Sequence, residues 1–345
     1  MEKKLIFLFC FLLASTVYAG EEWRFTILHT NDLHGMMMPF DYPQGEEGSV
    51  VLEKDVGGLA RRATAIFKVK AETPGPLALV DVGDIFTRGP WHERFFGVPE
   101  IETMNMMQYD VMTVGNNEFK ATGDVESQKI FLSLMRRSRF PWLAANLTVG
   151  DTKLPLEGIH PFVVRTYGSV RVGFIGLTAP RSAAYPQTKG WTISDPIEAA
   201  KTFVPAARKE CDILIAVTHI GVIADASSAL DIPTDNRLAA EVDGIDAIIG
   251  GDSHTFLEEP LAVRSPSGRT VPIVQAGEQG IRLGKLDLLF EKKEGRWILQ
   301  NYKGELIPID HSTPENLVIK TFLDRILRSI APTIQFPGGR FKRAA

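Results

Sequence analysis

The chain has 345 residues, 44% of them hydrophobic and 23% charged, with a formal net charge of -4. That composition excludes general disorder, and 30 glycines and 21 prolines scattered without a period exclude a collagen-like chain. The weak negative charge excludes a dominant basic face, so neither nucleic acid nor an acidic membrane surface is an expected partner.

Residues 1–19 read as a secretory signal peptide. Lys3 and Lys4 precede an unbroken apolar run over 5–14, and Val17-Tyr18-Ala19 offers a small-x-small cleavage site before Gly20. The run is too short to span a bilayer, which needs about 20 apolar residues. No later segment is long enough either, so a secreted or periplasmic protein without stable membrane insertion is expected. Cys10 leaves with the signal. Cys211 is then the single thiol, expected to be packed and inert, and no intrachain disulfide can form.

The body alternates short apolar runs with longer mixed segments. Strands are expected over 25–29, 77–82, 111–114, 142–145, 170–177, 213–217, 247–249 and 271–275. Helical spacing marks 58–69, 127–137 and 196–209. Strands apolar on both faces, with helices between them, indicate an α/β protein with covered sheets. Segments 283–291 and 296–309 read as antiparallel strands joined at Lys293-Glu294-Gly295. Ser312-Thr313-Pro314-Glu315 then starts a last helix reaching 330, with Thr313 as N-cap and Pro314 at its first position. Nothing divides the body, so one domain is expected over 20–311, a C-terminal helix within 312–332 and a flexible tail over 333–345. No feature sets the oligomeric state.

Polar residues fall at the ends of the expected strands. The first ends in His29-Thr30-Asn31-Asp32-Leu33-His34, the second at Asp84, the third in Asn116-Asn117. The run over 213–217 is followed by His219, and the next by Asp252 and His254. In open α/β sheets the carboxyl ends of the strands face one crevice, where ligands bind. Asp32, His34, Asp84, Asn116, His219, Asp252 and His254 are therefore expected to converge. Imidazole, carboxylate and amide without thiolate suit Mn, Fe or Zn, and seven such groups are enough for two ions sharing a carboxylate. His29 lies within the strand and reads as a packing residue. His92, His160 and His311 receive no role.

ILHTNDLHG, VGGLARR, LVDVGD, GNNEF, AANL, AVTHIG, GGDSHT and VQAGEQGIRLGKLDL together resemble the catalytic domain of the 5'-nucleotidase family, within the calcineurin-like metallophosphoesterases. The resemblance runs from about residue 24 to 310 in the family's motif order. It implies a four-layer α/β/β/α sandwich and a secreted or periplasmic hydrolase of small phosphate esters, nucleotides among them. It further implies two divalent ions, the first held by Asp32, His34, Asp84 and His254. Asp84 would bridge to the second, held also by Asn116, His219 and Asp252. Hydroxide held by the ions would attack phosphorus.

Four departures qualify the chemistry. The family's GNHEFD reads Gly115-Asn116-Asn117-Glu118-Phe119-Lys120 here, so Asn117 and Lys120 replace the His that stabilises the transition state and the Asp that orients it. Asn cannot act as a general acid. Asp252 replaces a His and makes the second site harder. The 83–89 loop is one residue longer, with Arg88 a candidate phosphate clamp. The chain ends at Ala345, before the second domain that in longer relatives stacks on the base. The alternatives are a metal- or anion-binding relative that lost turnover, or a hydrolase altered toward a sulfur-type ester.

Overall fold

The computed structural model describes residues 21–44, 51–87, 91–152, 154–223 and 232–330. The expected signal peptide, Arg88 and the expected tail over 333–345 lie outside the described residues.

Two sheets pack face to face. One has seven strands in the order Arg296–Pro308, Arg282–Lys293, Glu22–Thr30, Leu77–Asp81, Val111–Thr113, Trp142–Leu143 and Ile159–His160. From Glu22–Thr30 to Ile159–His160 the neighbours run parallel, and the other two strands add antiparallel. The second sheet has six strands, Leu261–Arg264, Thr270–Val274, Ala247–Ile249, Ile213–Thr218, Val170–Leu177 and Phe162–Tyr167, with its four middle strands parallel.

Alternation along the strands builds the layers. Phe25, Ile27, Ala78 and Val80 meet Phe174, Ile215 and Val217 between the sheets. Leu28, Leu79 and Met112 point the other way, into a layer shared with Leu59, Ile66, Ile101, Phe131 and Leu323. These belong to helices Leu59–Glu72, Val98–Met107, Glu126–Arg137 and Leu317–Ile330. Leu214 and Ala216 likewise turn outward against Ile197, Val204 and Leu238 of helices Pro196–Glu210 and Asp235–Glu241. Because side chains alternate along a strand, apolar residues at consecutive positions require cover on both faces. The result is the expected α/β/β/α sandwich.

The late hairpin forms as expected. Lys293 pairs with Arg296, and Glu294 and Gly295 both take positive φ (49° and 78°), the backbone of a tight type I′ turn. The last helix begins later than expected, at Leu317. Asp310 draws Ser312 and Thr313 into a turn of their own, accepting from the Ser312 backbone at 2.8 Å and its hydroxyl at 2.6 Å. Asn316 serves as the cap instead, its Oδ1 accepting from the N–H groups of Val318 and Ile319 at 3.1 Å. Cys211 is buried, and burial pushes its thiol up to about 11, consistent with an inert packed residue.

Candidate metal centre

Seven strands, drawn from both sheets, deliver their following residues to one end of the sandwich. Asp32 and His34 follow Glu22–Thr30, Asp84 follows Leu77–Asp81, and Asn116 and Asn117 follow Val111–Thr113. Arg181 follows Val170–Leu177, His219 follows Ile213–Thr218, Asp252 and His254 follow Ala247–Ile249, and Glu278 follows Thr270–Val274. The backbone bends sharply there. Asp32, His34, Asp84, Asp252 and His254 take φ of 51°, 48°, 57°, 79° and 56°, in the left-handed region that side chains other than glycine seldom adopt. Such residues cost on the order of 1–3 kcal/mol each and persist only where the surroundings over-determine them.

The over-determination is visible. Asp32 N–H donates to Gly83 O at 3.0 Å, His34 N–H to Asp84 O at 2.9 Å and Gln279 N–H to Asp32 O at 2.7 Å, so adjacent loops are stitched together. The buried Glu118 carboxylate accepts from the N–H groups of Asp84, Ile85 and Gly115 at 2.8, 2.9 and 2.7 Å. Gly115 approaches so closely that a Cβ there would collide with Asp84 Oδ1.

The donor atoms converge as two groups among the described residues, Asp32–His34–His254 and Asp32–Asp84–His219. In the first, His34 Nε2 and His254 Nε2 stand 3.1 Å apart. Two nitrogens each about 2.1 Å from one ion would be separated by roughly 3–3.4 Å. Asp32 Oδ1 lies 3.4 Å from His254 Nε2 and 3.9 Å from His34 Nε2. In the second, His219 Nε2 lies 3.8 Å from Asp32 Oδ1 and 3.4 Å from Asp84 Oδ1. Asp32 is common to both groups, and Asp84 stands in the second beside His219.

Outer partners fix the imidazoles. His219 Nδ1 contacts Val82 O at 2.7 Å. A carbonyl only accepts, so Nδ1 carries a proton and Nε2 is the nitrogen aimed inward, where a cation could take the place of a second proton. His254 Nδ1 meets Glu278 Oε2 at 2.9 Å, and Tyr42 donates to the other Glu278 oxygen at 3.0 Å. Burial opposes the imidazolium of His219, but Asp84 and Asp32 outweigh it and hold its pKa well above the ordinary value. His254 is likewise pushed up to about 10, burial being outweighed by Asp32 and Glu278. The cluster therefore demands positive charge. Asp32 Oδ1 and His219 Nε2 are buried without a hydrogen-bond partner. Orphaned donors of this kind, with oxygen and imidazole ligands and fixed tautomers, fit a divalent cation.

The remaining expected ligands are engaged by Arg181. Its Nη1 donates to Asp252 Oδ2 at 2.5 Å, and its Nη2 donates both to Asn116 Oδ1 at 2.5 Å and to Asp252 Oδ1. Asp252 Oδ1 also lies 3.4 Å from His219 Nε2. Asn117 points at Asp84, its backbone N–H donating to Oδ1 at 2.7 Å and its side-chain amide to Oδ2. The Lys120 ammonium sits 4.2 Å from the centroid of the Tyr185 ring.

A profile of calcineurin-like phosphoesterases matches residues 25–256. The chain belongs to the calcineurin-like phosphoesterase family. It is 30% identical over 325 residues to 5'-nucleotidase of Bos taurus, covering 89% of this chain and 53% of that protein. Among solved structures, the 5'-nucleotidase precursor of Thermus thermophilus superposes with a TM-score of 0.75 at 26% identity, covering 91% of this chain and 60% of that one. The calcineurin-like phosphoesterase YfkN of Bacillus subtilis superposes with a TM-score of 0.71 at 26% identity, covering 90% and 98%. The chain spans about half the length of the bovine relative. It is a calcineurin-like phosphoesterase catalytic domain related to 5'-nucleotidases, and this family is dimetal-dependent.

All seven expected ligands lie at one end of the sheets, five in the two donor groups and Asn116 and Asp252 joining through Arg181. His29 is buried, and burial pushes its pKa down to about 3, so it packs as a neutral ring. His92 stacks on Phe86 with ring centroids 5.4 Å apart, and its Nε2 lies 3.1 Å from Ala121 O. Arg181, Glu278 and Glu118 were not anticipated. The same signal marks the first two: each follows an apolar strand, in TAPRS and AGEQG.

Proposed function

We propose that this phosphoesterase domain hydrolyses small phosphate monoesters at a centre formed by Asp32, His34, Asp84, Asn116, His219, Asp252 and His254. The observation that carries the reading is the convergence of two donor groups on Asp32, with Asp32 Oδ1 and His219 Nε2 buried and unbonded. Asp32, His34 and His254 would hold one ion, and His219, Asn116 and Asp252 the other, with Asp84 between them. Two divalent ions (Mn, Fe or Zn) would supply Lewis acidity toward a phosphoryl oxygen and a water acidic enough to ionise near neutral pH.

The chain's own residues set the rest. Glu278 and the Val82 carbonyl hold the two imidazoles so that their Nε2 atoms face inward. Arg181, its side chain 51% exposed, adds positive charge that favours an anionic substrate. Asn117 can donate a hydrogen bond but no proton at useful pH, so the leaving oxygen departs without a protein acid. Esters with acidic leaving groups should therefore react fastest. Nucleoside monophosphates are candidate substrates through the relatives named 5'-nucleotidase. A secreted or periplasmic location is supported by the signal-like residues 1–19, and among the described residues no helix is long and apolar enough to cross a membrane.

A second reading, a metal-binding relative without turnover, is favoured by one contact: the Asn117 amide is donated to Asp84. Phosphate release separates the two. With Mn²⁺ added, an aryl phosphate should be hydrolysed at least about 10-fold faster than a nucleoside monophosphate, and a chelator should abolish both. Metal bound without phosphate release would establish the second reading. Phosphate release that survives chelation would remove the metal centre from the chemistry.

A further inference from the structure

Arg181 occupies an unusual place for an arginine. It is delivered by the strand Val170–Leu177 to the same end of the sheets as the ligands. Its Nη2 sits between Asn116 Oδ1 and Asp252 Oδ1, and its Nη1 takes Asp252 Oδ2, so one guanidinium collects three oxygen acceptors from two loops. Asp252 is 9% exposed at its side chain, and His219 Nε2 lies 3.4 Å from its Oδ1. Asp252 also offers its N–H to Asp32 Oδ2 at 2.9 Å, so the acceptor pair is rigidly tied to the first donor group.

A planar guanidinium satisfies carboxylate and amide oxygens bidentately and is always charged. It therefore neutralises the half of the centre it holds, and a divalent ion entering that half must displace it against like charge. We infer that Arg181 is a built-in cation for the Asn116–Asp252 half, so that the chain binds one divalent ion tightly and the second only in competition with this side chain. The inference rests on the metal-centre reading above and deepens it: Arg181 is a positioning residue that sets how far the second site loads.

The two halves can be told apart by metal content alone. The mature chain, stripped of metal, is titrated with Mn²⁺ by equilibrium dialysis and elemental analysis, alongside Arg181→Gln and Arg181→Met. The native chain should take up one equivalent in a tight step and a second at least about 10-fold more weakly. Both variants should keep the first step unchanged, which also verifies their fold, and tighten the second by about 10-fold or more, the scale on which outer partners tune metal sites. Electron paramagnetic resonance should show coupled Mn²⁺ pairs in the variants at concentrations where the native chain shows isolated ions. Two steps of equal affinity in the native chain, or an unchanged second step in both variants, would overturn the inference and leave the metal centre standing. Failure of all three proteins to bind Mn²⁺ would overturn both.

Discussion

Asp32→Asn should abolish tight metal binding and lower phosphate-ester turnover by on the order of 10³-fold or more. The size of the effect follows from what surrounds the carboxylate. Oδ2 already accepts from Asn31 Nδ2 and from the Asp252 N–H, both at 2.9 Å. Both partners are donors, so an asparagine must keep its carbonyl oxygen in that place. Its NH₂ is then forced into the position of Oδ1, which faces His254 at 3.4 Å and His219 at 3.8 Å. The substitution removes a charge and also aims two N–H groups at the centre. It should leave the fold intact, because the Asp32 backbone bonds to Gly83 O and from Gln279 N–H are untouched. The check is elemental analysis with turnover on a variant of unchanged melting temperature. Near-native metal content would show that Asp32 is not shared between the two groups of donors.

The pair at 117 and 120 should act in the opposite direction. Asn117→His with Lys120→Asp should raise turnover of alkyl phosphate esters by about 10–10³-fold, the scale of one restored acid or transition-state donor. Asn117 now spends its amide on Asp84, and the Lys120 ammonium lies over the Tyr185 ring. An imidazole at 117 can donate to a leaving oxygen, and a carboxylate at 120 can orient it. The changes should be non-additive: a lone His is unoriented, and a lone Asp only adds negative charge beside an anionic substrate. Aryl esters, which need no acid, should gain much less. A double variant slower than the native chain on every ester would mean that the site works through Asn117 and Lys120 as they stand.

Much of this was legible in the sequence, for physical reasons that also explain the gaps. Strands such as Val170–Leu177 and Ala247–Ile249 coincide with their apolar runs because both faces are covered, which writes burial into consecutive positions. The helix Val98–Met107 was missed for a related reason. Pro99, Glu100, Ile101, Thr103, Met104, Asn105 and Met107 are all buried, so no polar stripe marks a helical period. The convergence of Asp32, His34, Asp84, His219 and His254 was legible because each stands just past a strand in a motif with glycine nearby. Asp32 and His34 even announce their chemistry by type. Arg181 stands just past a strand as well, but an arginine there reads as a solvated side chain. Only the fold brings it to Asn116, 65 positions away, and to Asp252, 71 positions away. The unanticipated cap at Asn316 has a different origin, a local competition between Asp310 and Asn316 for the chain between them.

The most direct test of the metal centre is reconstitution. The mature chain, freed of metal by a chelator and dialysed, is titrated with Mn²⁺ while bound metal and hydrolysis of an aryl phosphate are measured in the same samples. Negligible turnover before addition, and turnover rising with bound Mn²⁺, is the result expected if the strand-end residues form a working metallophosphoesterase site. Bound metal would be absent, and turnover with it, in Asp32→Asn. Turnover that is already complete in the metal-free chain, or that rises equally in native protein and Asp32→Asn, would contradict it.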